Sequence, residues 1–226
     1  MKKVFLLLLT VASAMAFAGG EIAPVEPMVV APAVVASPIK FYVGGGYSRV
    51  DVDGSGIGTQ IYQDYALTAI PTGVAHNYNM DGNNFLLLAG VKFNEYFAVE
   101  GRYSNSFKDS SYTYTADNNT TSGDLSGGKI ESYGIYAKPM YPVTEQIDVY
   151  GLLGYANVNI DGDGGNLMND GDFSWGAGAS YEITNNFSVF ADYVRLYDDT
   201  VSDTGSVMNG DKVKVDSVNV GLIYTF

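Results

Sequence analysis

The sequence predicts an all-β chain that closes into an eight-stranded antiparallel up-and-down transmembrane β-barrel. Three observations carry this. Eight segments of strand length set large apolar residues on one face against small, polar or charged residues on the other. Their connections alternate long and short, so that all the long ones gather at one end. The aromatic residues sort into two bands, as the two lipid–water interfaces of a bilayer require. Composition agrees, since 27 Gly and 18 Tyr among 226 residues oppose helix and favour strands and interfaces.

The chain begins with Met1-Lys-Lys, an apolar run from Val4 to Val11 and the small-x-small triplet Ala16-Phe17-Ala18. Residues 1–18 read as a secretory signal cleaved between Ala18 and Gly19, because the apolar run is too short to span a bilayer. Its removal takes away Lys2 and Lys3 and no acid, leaving 10 basic against 25 acidic residues, a charge near −15. That balance excludes a nucleic-acid partner. With no cysteine, the chain has neither disulfides nor a site for lipid modification of cysteine. Residues 19–39 carry Pro24, Pro27, Pro32 and Pro38 among Ala and Val, a density that prevents helix and sheet pairing. They form an extended leader, read as a plain spacer.

The barrel domain spans residues 40–226. Its candidate strands are 40–51, 83–93, 96–107, 130–142, 147–159, 172–183, 187–198 and 213–226. Tight turns fall at 94–95, 143–146 and 184–186, and long connections at 52–82, 108–129, 160–171 and 199–212. The faces decide which barrel this is. In 96–107, Phe97, Val99, Gly101 and Tyr103 oppose Ala98, Glu100 and Arg102. In 172–183, Phe173, Trp175, Ala177, Ala179, Tyr181 and Ile183 oppose Ser174, Gly176, Gly178, Ser180 and Glu182. In 83–93, Phe85, Leu87, Ala89, Val91 and Phe93 oppose Leu86, Leu88, Gly90 and Lys92. An eight-stranded lumen has room only for side chains, so the small and charged set faces inward and the bulky set faces lipid. A soluble barrel would display no such apolar belt.

Two aromatic girdles follow. Phe41, Phe93, Phe97, Tyr141, Tyr181, Phe187, Tyr224 and Phe226 lie near the short turns. Tyr47, Tyr103, Tyr133, Tyr155, Trp175 and Tyr193 lie toward the long loops. Counting from the short turns also ranks the inward charges. Glu100, Arg102, Lys138 and Asp192 share a middle level, two acids and two bases. Lys92, Asp148 and Glu182 form a lower group. Unpaired charges in a narrow lumen each cost several kcal/mol, so cross-lumen salt bridges are expected to interrupt any continuous water path. Static pairing is the preferred role over gating.

The last strand ends in VNVGLIYTF, with Val218, Val220, Leu222, Tyr224 and Phe226 on one face. Together with FYVGGGYS at the first strand, it resembles the small Gram-negative outer-membrane β-barrels, a family labelled porin-like or outer membrane protein β-barrel domain. The resemblance covers residues 40–226 and extends to the OmpA transmembrane domain, OmpX/Ail and opacity proteins. It implies that the short turns and the leader face the periplasm and that the long loops face outside. It also implies that Val218, Val220, Leu222, Tyr224 and Phe226 form the signal read by the barrel-assembly machinery, a partner during biogenesis alongside outer-membrane lipid. No peptidoglycan-binding domain follows Phe226, so a cell-wall anchoring role does not carry over.

Other candidates are weak. Enzymes of such barrels generally use a histidine base, and His76, the only histidine, reads as a solvated residue of the longest loop. No catalytic residue is assigned, and the chain is expected not to be an enzyme. Asp161-Gly-Asp-Gly-Gly-Asn and Asn169-Asp-Gly-Asp suggest pieces of a calcium loop, but Gly165 takes a ligand position and no terminal glutamate follows. The reading is an acidic solvated loop, with no metal and no cofactor. Asp117-Asn-Asn119-Thr-Thr121 resembles a bacterial N-glycosylation sequon, and modification there is not expected. Three roles survive: a surface barrel anchoring acidic loops, a narrow channel for ions or small solutes, and an adhesin. Wide pores need about twice as many strands, which favours the first. A monomer is expected, and no extracellular partner can be named.

Overall fold

The computed structural model describes residues 39–57, 75–107, 110–116, 119–125, 128–162, 165–206 and 208–226. Ten strands follow in chain order: β1 (Lys40–Ile57), β2 (Ala75–Asn94), β3 (Phe97–Ser106), β4 (Ser110–Ala116), β5 (Asn119–Leu125), β6 (Lys129–Pro142), β7 (Ile147–Gly162), β8 (Gly165–Glu182), β9 (Phe187–Thr200) and β10 (Lys212–Thr225). Eight of them form the wall in the order β1-β2-β3-β6-β7-β8-β9-β10, and β10 closes on β1 from Tyr42↔Thr225 to Ser55↔Lys212. All pairings are antiparallel. Among the described residues there is no helix. Closure pairs every wall strand on both sides, which a bilayer demands of a backbone that crosses it.

The outward row is apolar and exposed through the middle of the wall: Leu87, Ile135, Leu153, Val220 and Leu222 are each about half exposed or more. The aromatic residues flank it in two girdles, with Phe41, Tyr141 and Phe226 at one end and Tyr133, Tyr155 and Trp175 at the other. All three expected tight turns are present, since 95–96, 143–146 and 183–186 connect consecutive strands.

At the long-loop end the architecture departs from the expected one. The connection 160–171 is no loop: β7 runs to Gly162 and β8 starts at Gly165, with Ile160 facing Met168 across the ladder. Both ends of the connection 52–82 are strand, because β1 continues to Ile57 and β2 begins at Ala75, while residues 58–74 lie outside the described residues. Within 108–129, β4 and β5 form a hairpin that pairs with β2 from His76 to Asp81. The physical reason is a change of solvent along each strand. Above the girdle the inward row becomes apolar (Val50, Val52, Tyr78, Met80, Val158, Ile160) and the outward row polar (Asn77, Asn79, Asp53). That is the pattern of a water-soluble sheet, and it escapes a test tuned to lipid.

The lumen is also fuller than a small, polar lining would make it. The inward apolar residues Val50, Val52, Val158, Ile160, Val213 and Val215 belong to one cluster in the upper half. A second cluster of Tyr42, Leu86, Leu88, Ala98, Phe190 and Ile223 sits nearer the short turns. Glycines make this filling possible. A Cβ on Gly90 would lie 2.2 Å from the Tyr42 ring, so the ring occupies the space a side chain there would need. The segment after β9 folds into the mouth, burying Val201 and Met208. Hydrogen bonds from Met208 N to the Leu167 carbonyl (3.0 Å) and from Val201 N to the Asp211 carbonyl (2.9 Å) hold it, and Gly210 supplies the turn at φ 88°.

Candidate functional site

Strands β3, β6 and β9 carry Glu100, Arg102, Lys138 and Asp192 on their inward faces, and the structure brings all four together. Arg102 is the centre. Its Nε donates to Glu100 Oε1 at 2.7 Å, and its two terminal nitrogens grip Asp192 at 3.0 and 2.7 Å. Lys138 Nζ donates to Glu100 Oε2 at 2.7 Å. The carboxylate pair and cation pair therefore form one chain, Lys138–Glu100–Arg102–Asp192, with zero net charge. Glu100 is wholly buried and the other three nearly so.

Neutral groups complete the shell. Tyr42 and Tyr150 donate their hydroxyls to Glu100 and Asp192, each at 2.8 Å, and Asn219 Nδ2 donates to Asp192 Oδ1 at 2.8 Å. The Lys138 ammonium lies 4.1 Å from the Tyr150 ring centroid, and the Arg102 guanidinium 5.9 Å from those of Tyr136 and Phe190. Each carboxylate thus meets a cation and at least one donor, which is what a buried charge requires. Above Arg102, Ser48, Ser104, Ser132, Ser217 and Asn219 line a gap of about 10 Å³, the size of one water.

The lower group is looser. Lys92 and Asp148 approach to 3.5 Å with both side chains partly exposed. Glu182 is exposed at the rim and makes no ion pair among the described residues. All three line a vestibule of about 280 Å³ at the short-turn end. Val218, Val220, Leu222 and Tyr224 of β10, and Phe226 directly after it, are all exposed. Phe226 N donates to the Phe41 carbonyl at 2.9 Å, and the Tyr224 ring sits 5.0 Å from those of Phe187 and Phe226. The expected cleavage point at Ala18 and Gly19, and the leader up to residue 38, lie outside the described residues.

His76 is not a solvated loop residue. It lies on β2, buried, with Nε2 3.1 Å from Asp211 Oδ2 and its ring stacked on Tyr78. Gly56 between them admits the contact, since a Cβ there would fall 1.7 Å from Asp211 Oδ1. The spacing His76, Tyr78, Met80 was the available signal, an inward row above the membrane. Asp170, from the calcium-like stretch, instead secures the segment after β9. It accepts from Ser202 N (2.7 Å), Ser202 Oγ (2.9 Å) and Gly171 N (2.8 Å). Among the described residues no cluster of three or more His, Cys, Asp or Glu could hold a metal ion. Tyr42, Tyr150 and Asn219 escaped the sequence reading because ranking only charges by height ignored neutral donors on the same inward rows.

Comparison with solved structures returns small outer-membrane barrels. The outer membrane protein OprG from Pseudomonas aeruginosa is 16% identical with TM-score 0.51, the match covering 83% of this chain and 95% of that one. Neisserial surface protein A is 18% identical with TM-score 0.49, covering 84% and 100%. Ail, the attachment invasion locus protein of Yersinia pestis, solved with the heparin analogue sucrose octasulfate, is 17% identical with TM-score 0.45, covering 84% and 100%. At these identities the likeness is one of fold. No curated protein matches the chain. Over residues 4–226 the sequence matches the family described as Outer membrane protein beta-barrel domain, and the chain belongs to that family.

Proposed function

We propose that this outer-membrane barrel is a non-enzymatic surface protein with a plugged lumen, anchoring an acidic, sheet-rich extension outside the cell. The chain reaches its place through a signal cleaved between Ala18 and Gly19. The outer face of β10 serves as its assembly signal, and it works as a monomer.

One observation carries the reading. The chain of Lys138, Glu100, Arg102 and Asp192 joins β6, β3 and β9 across the lumen at contacts of 2.7 Å, and the apolar cluster around Val158 and Val213 fills the space above it. An ion entering would have to strip its water and break buried charge pairs, each step costing several kcal/mol. Planar-bilayer conductance of the refolded protein tests this. The wild type is expected to be closed, and Arg102→Ser or Lys138→Ser to open small, noisy channels. Large, stable channels in the wild type would overturn the plug.

A further inference from the structure

Above the girdle, the outward faces of five adjacent strands carry two straight rows of polar side chains. Lys214, Asp53, Asn79, Thr113 and Ser122 are consecutive Cα partners across β10, β1, β2, β4 and β5. Lys212, Ser55, Asn77, Thr115 and Thr120 repeat the arrangement two residues further up. Nine of the ten are exposed, and Thr115 is half-buried. They line much of a depression of about 440 Å³. Asp53 accepts from Asn79 Nδ2 at 2.7 Å, and Thr113 with Ser122 and Thr115 with Thr120 share hydroxyl contacts at 3.1 Å.

We propose that this face binds the oligosaccharide headgroup of outer-leaflet glycolipid surrounding the barrel, with Lys212 and Lys214 meeting its anionic substituents. The inference rests on the extension lying outside the cell, not on the plug. Three features select this occupant. The rows contain no apolar side chain, whereas the centre of a protein–protein interface is apolar and aromatic. Hydroxyls and amides, which both donate and accept, match a hydroxyl-rich ligand. Among the described residues Lys212 and Lys214 make no ion pair, while Arg49 is held by Asp51 and Asp81 and Arg195 by Asp198 and Asp216. Within the ten residues two ammonium groups stand against the single carboxylate of Asp53. Asp198, the other carboxylate opposite Lys214, is already held by Arg195, which leaves these cations available on an otherwise acidic chain.

Height separates the lipid classes. Asp53 stands six residues above Tyr47 of the girdle on the same face of β1. Six residues extend about 20 Å along a strand, or about 15 Å of height at barrel tilt. Phospholipid headgroups reach only about 5–7 Å beyond the hydrocarbon. A lipid whose headgroup is a sugar chain spans the difference, and the face is continuous with the lipid-contacting wall below it.

The test uses the full refolded protein in detergent, mixed separately with lipopolysaccharide carrying a phosphorylated core oligosaccharide, lipid A lacking that core, phosphatidylglycerol, and the delipidated core oligosaccharide alone. Lipid or sugar retained per barrel is measured after gel filtration. Core-bearing lipopolysaccharide is expected to be retained about tenfold better than lipid A or phosphatidylglycerol, as two charge-assisted contacts and the polar rows imply. That margin should vanish in Lys212→Glu/Lys214→Glu, and in the uncharged variant Asn77→Ala/Thr115→Ala it should shrink. Unboiled gel mobility reports folding of each variant, and whichever folds supplies the comparison. Equal retention of core-bearing and core-free lipid would overturn the proposal, as would variants that bind like the wild type. Free oligosaccharide bound as tightly as the lipid-linked form would overturn the lipid source. Lumen conductance is unaffected by any of these results, so a failure here leaves the plug standing.

Discussion

Replacing Arg102 by serine is the most informative perturbation of the lumen. The guanidinium makes three hydrogen bonds to two buried carboxylates, one to Glu100 and two to Asp192. Without it Glu100 keeps Lys138 and the Tyr42 hydroxyl, but Asp192 keeps only the neutral donors Tyr150 and Asn219. A buried carboxylate stripped of its cation costs about 3–5 kcal/mol, and the lost contacts to Tyr136 and Phe190 add to this. The second substitution Asp192→Asn removes the stranded charge while keeping the side-chain shape. The double variant should therefore be less destabilised than the two single variants summed, with a coupling of about 1–3 kcal/mol. Urea unfolding in lipid vesicles, followed through the fluorescence of Trp175, measures each step. As a control, Lys92→Ser should cost about 0–1 kcal/mol, because its pair with Asp148 is partly solvated. If Arg102→Ser stays within about 0.5 kcal/mol of wild type, or the cycle is additive, the four charges are not a coupled unit and the reasoning fails.

Two further outcomes follow from other parts of the molecule. Burial alone would raise the Asp170 carboxyl, but the N–H groups of Ser202 and Gly171 and the Ser202 and Tyr197 hydroxyls hold it below the usual carboxylate range. Its contribution is complete above the pH where an ordinary aspartate ionises and is lost as the pH falls through the depressed value. Protection of amides across 201–206, taken relative to the intrinsic exchange rate at each pH, should fall in that acid range, and Asp170→Asn should abolish this change in protection; an unchanged profile would count against the anchor. Deleting Phe226 should lower outer-membrane delivery while leaving export intact, as read by cell fractionation, since it removes the last residue of the exposed row that continues from β10.

Much of the wall was legible because lipid and a filled lumen impose opposite demands on alternate residues. Phe97 against Ala98, or Trp175 against Ser174, states the face of its strand unaided, and the short turns fix where counting begins. The limits of the strands were not legible. Tyr78 and Met80 alternate with Asn77 and Asn79 as clearly as any membrane segment, yet their Gly-, Asp- and Asn-rich neighbourhood reads as loop when only a bilayer is considered. The charged centre of the lumen could be found by height alone, because so few ionisable groups face inward. Its neutral donors could not, since Tyr42 and Tyr150 look like girdle residues until the adjacent glycine, Gly90 or Gly178, shows that there is room for the ring inside.

The reversal of polarity along β1 and β2 has a consequence for how pairing errors are rejected. Sliding one strand by a single residue turns all its side chains to the opposite face. In the lower part of β2 that would drive Phe85, Leu87 and Val91 into the crowded lumen and present Asn84 and Lys92 to hydrocarbon. In the upper part it would expose Tyr78 and Met80 to water and bury Asn77 and Asn79. Both solvents would oppose the same mistake at once, from opposite ends of one strand. A barrel whose strands stopped at the membrane surface would have only half of this proofreading.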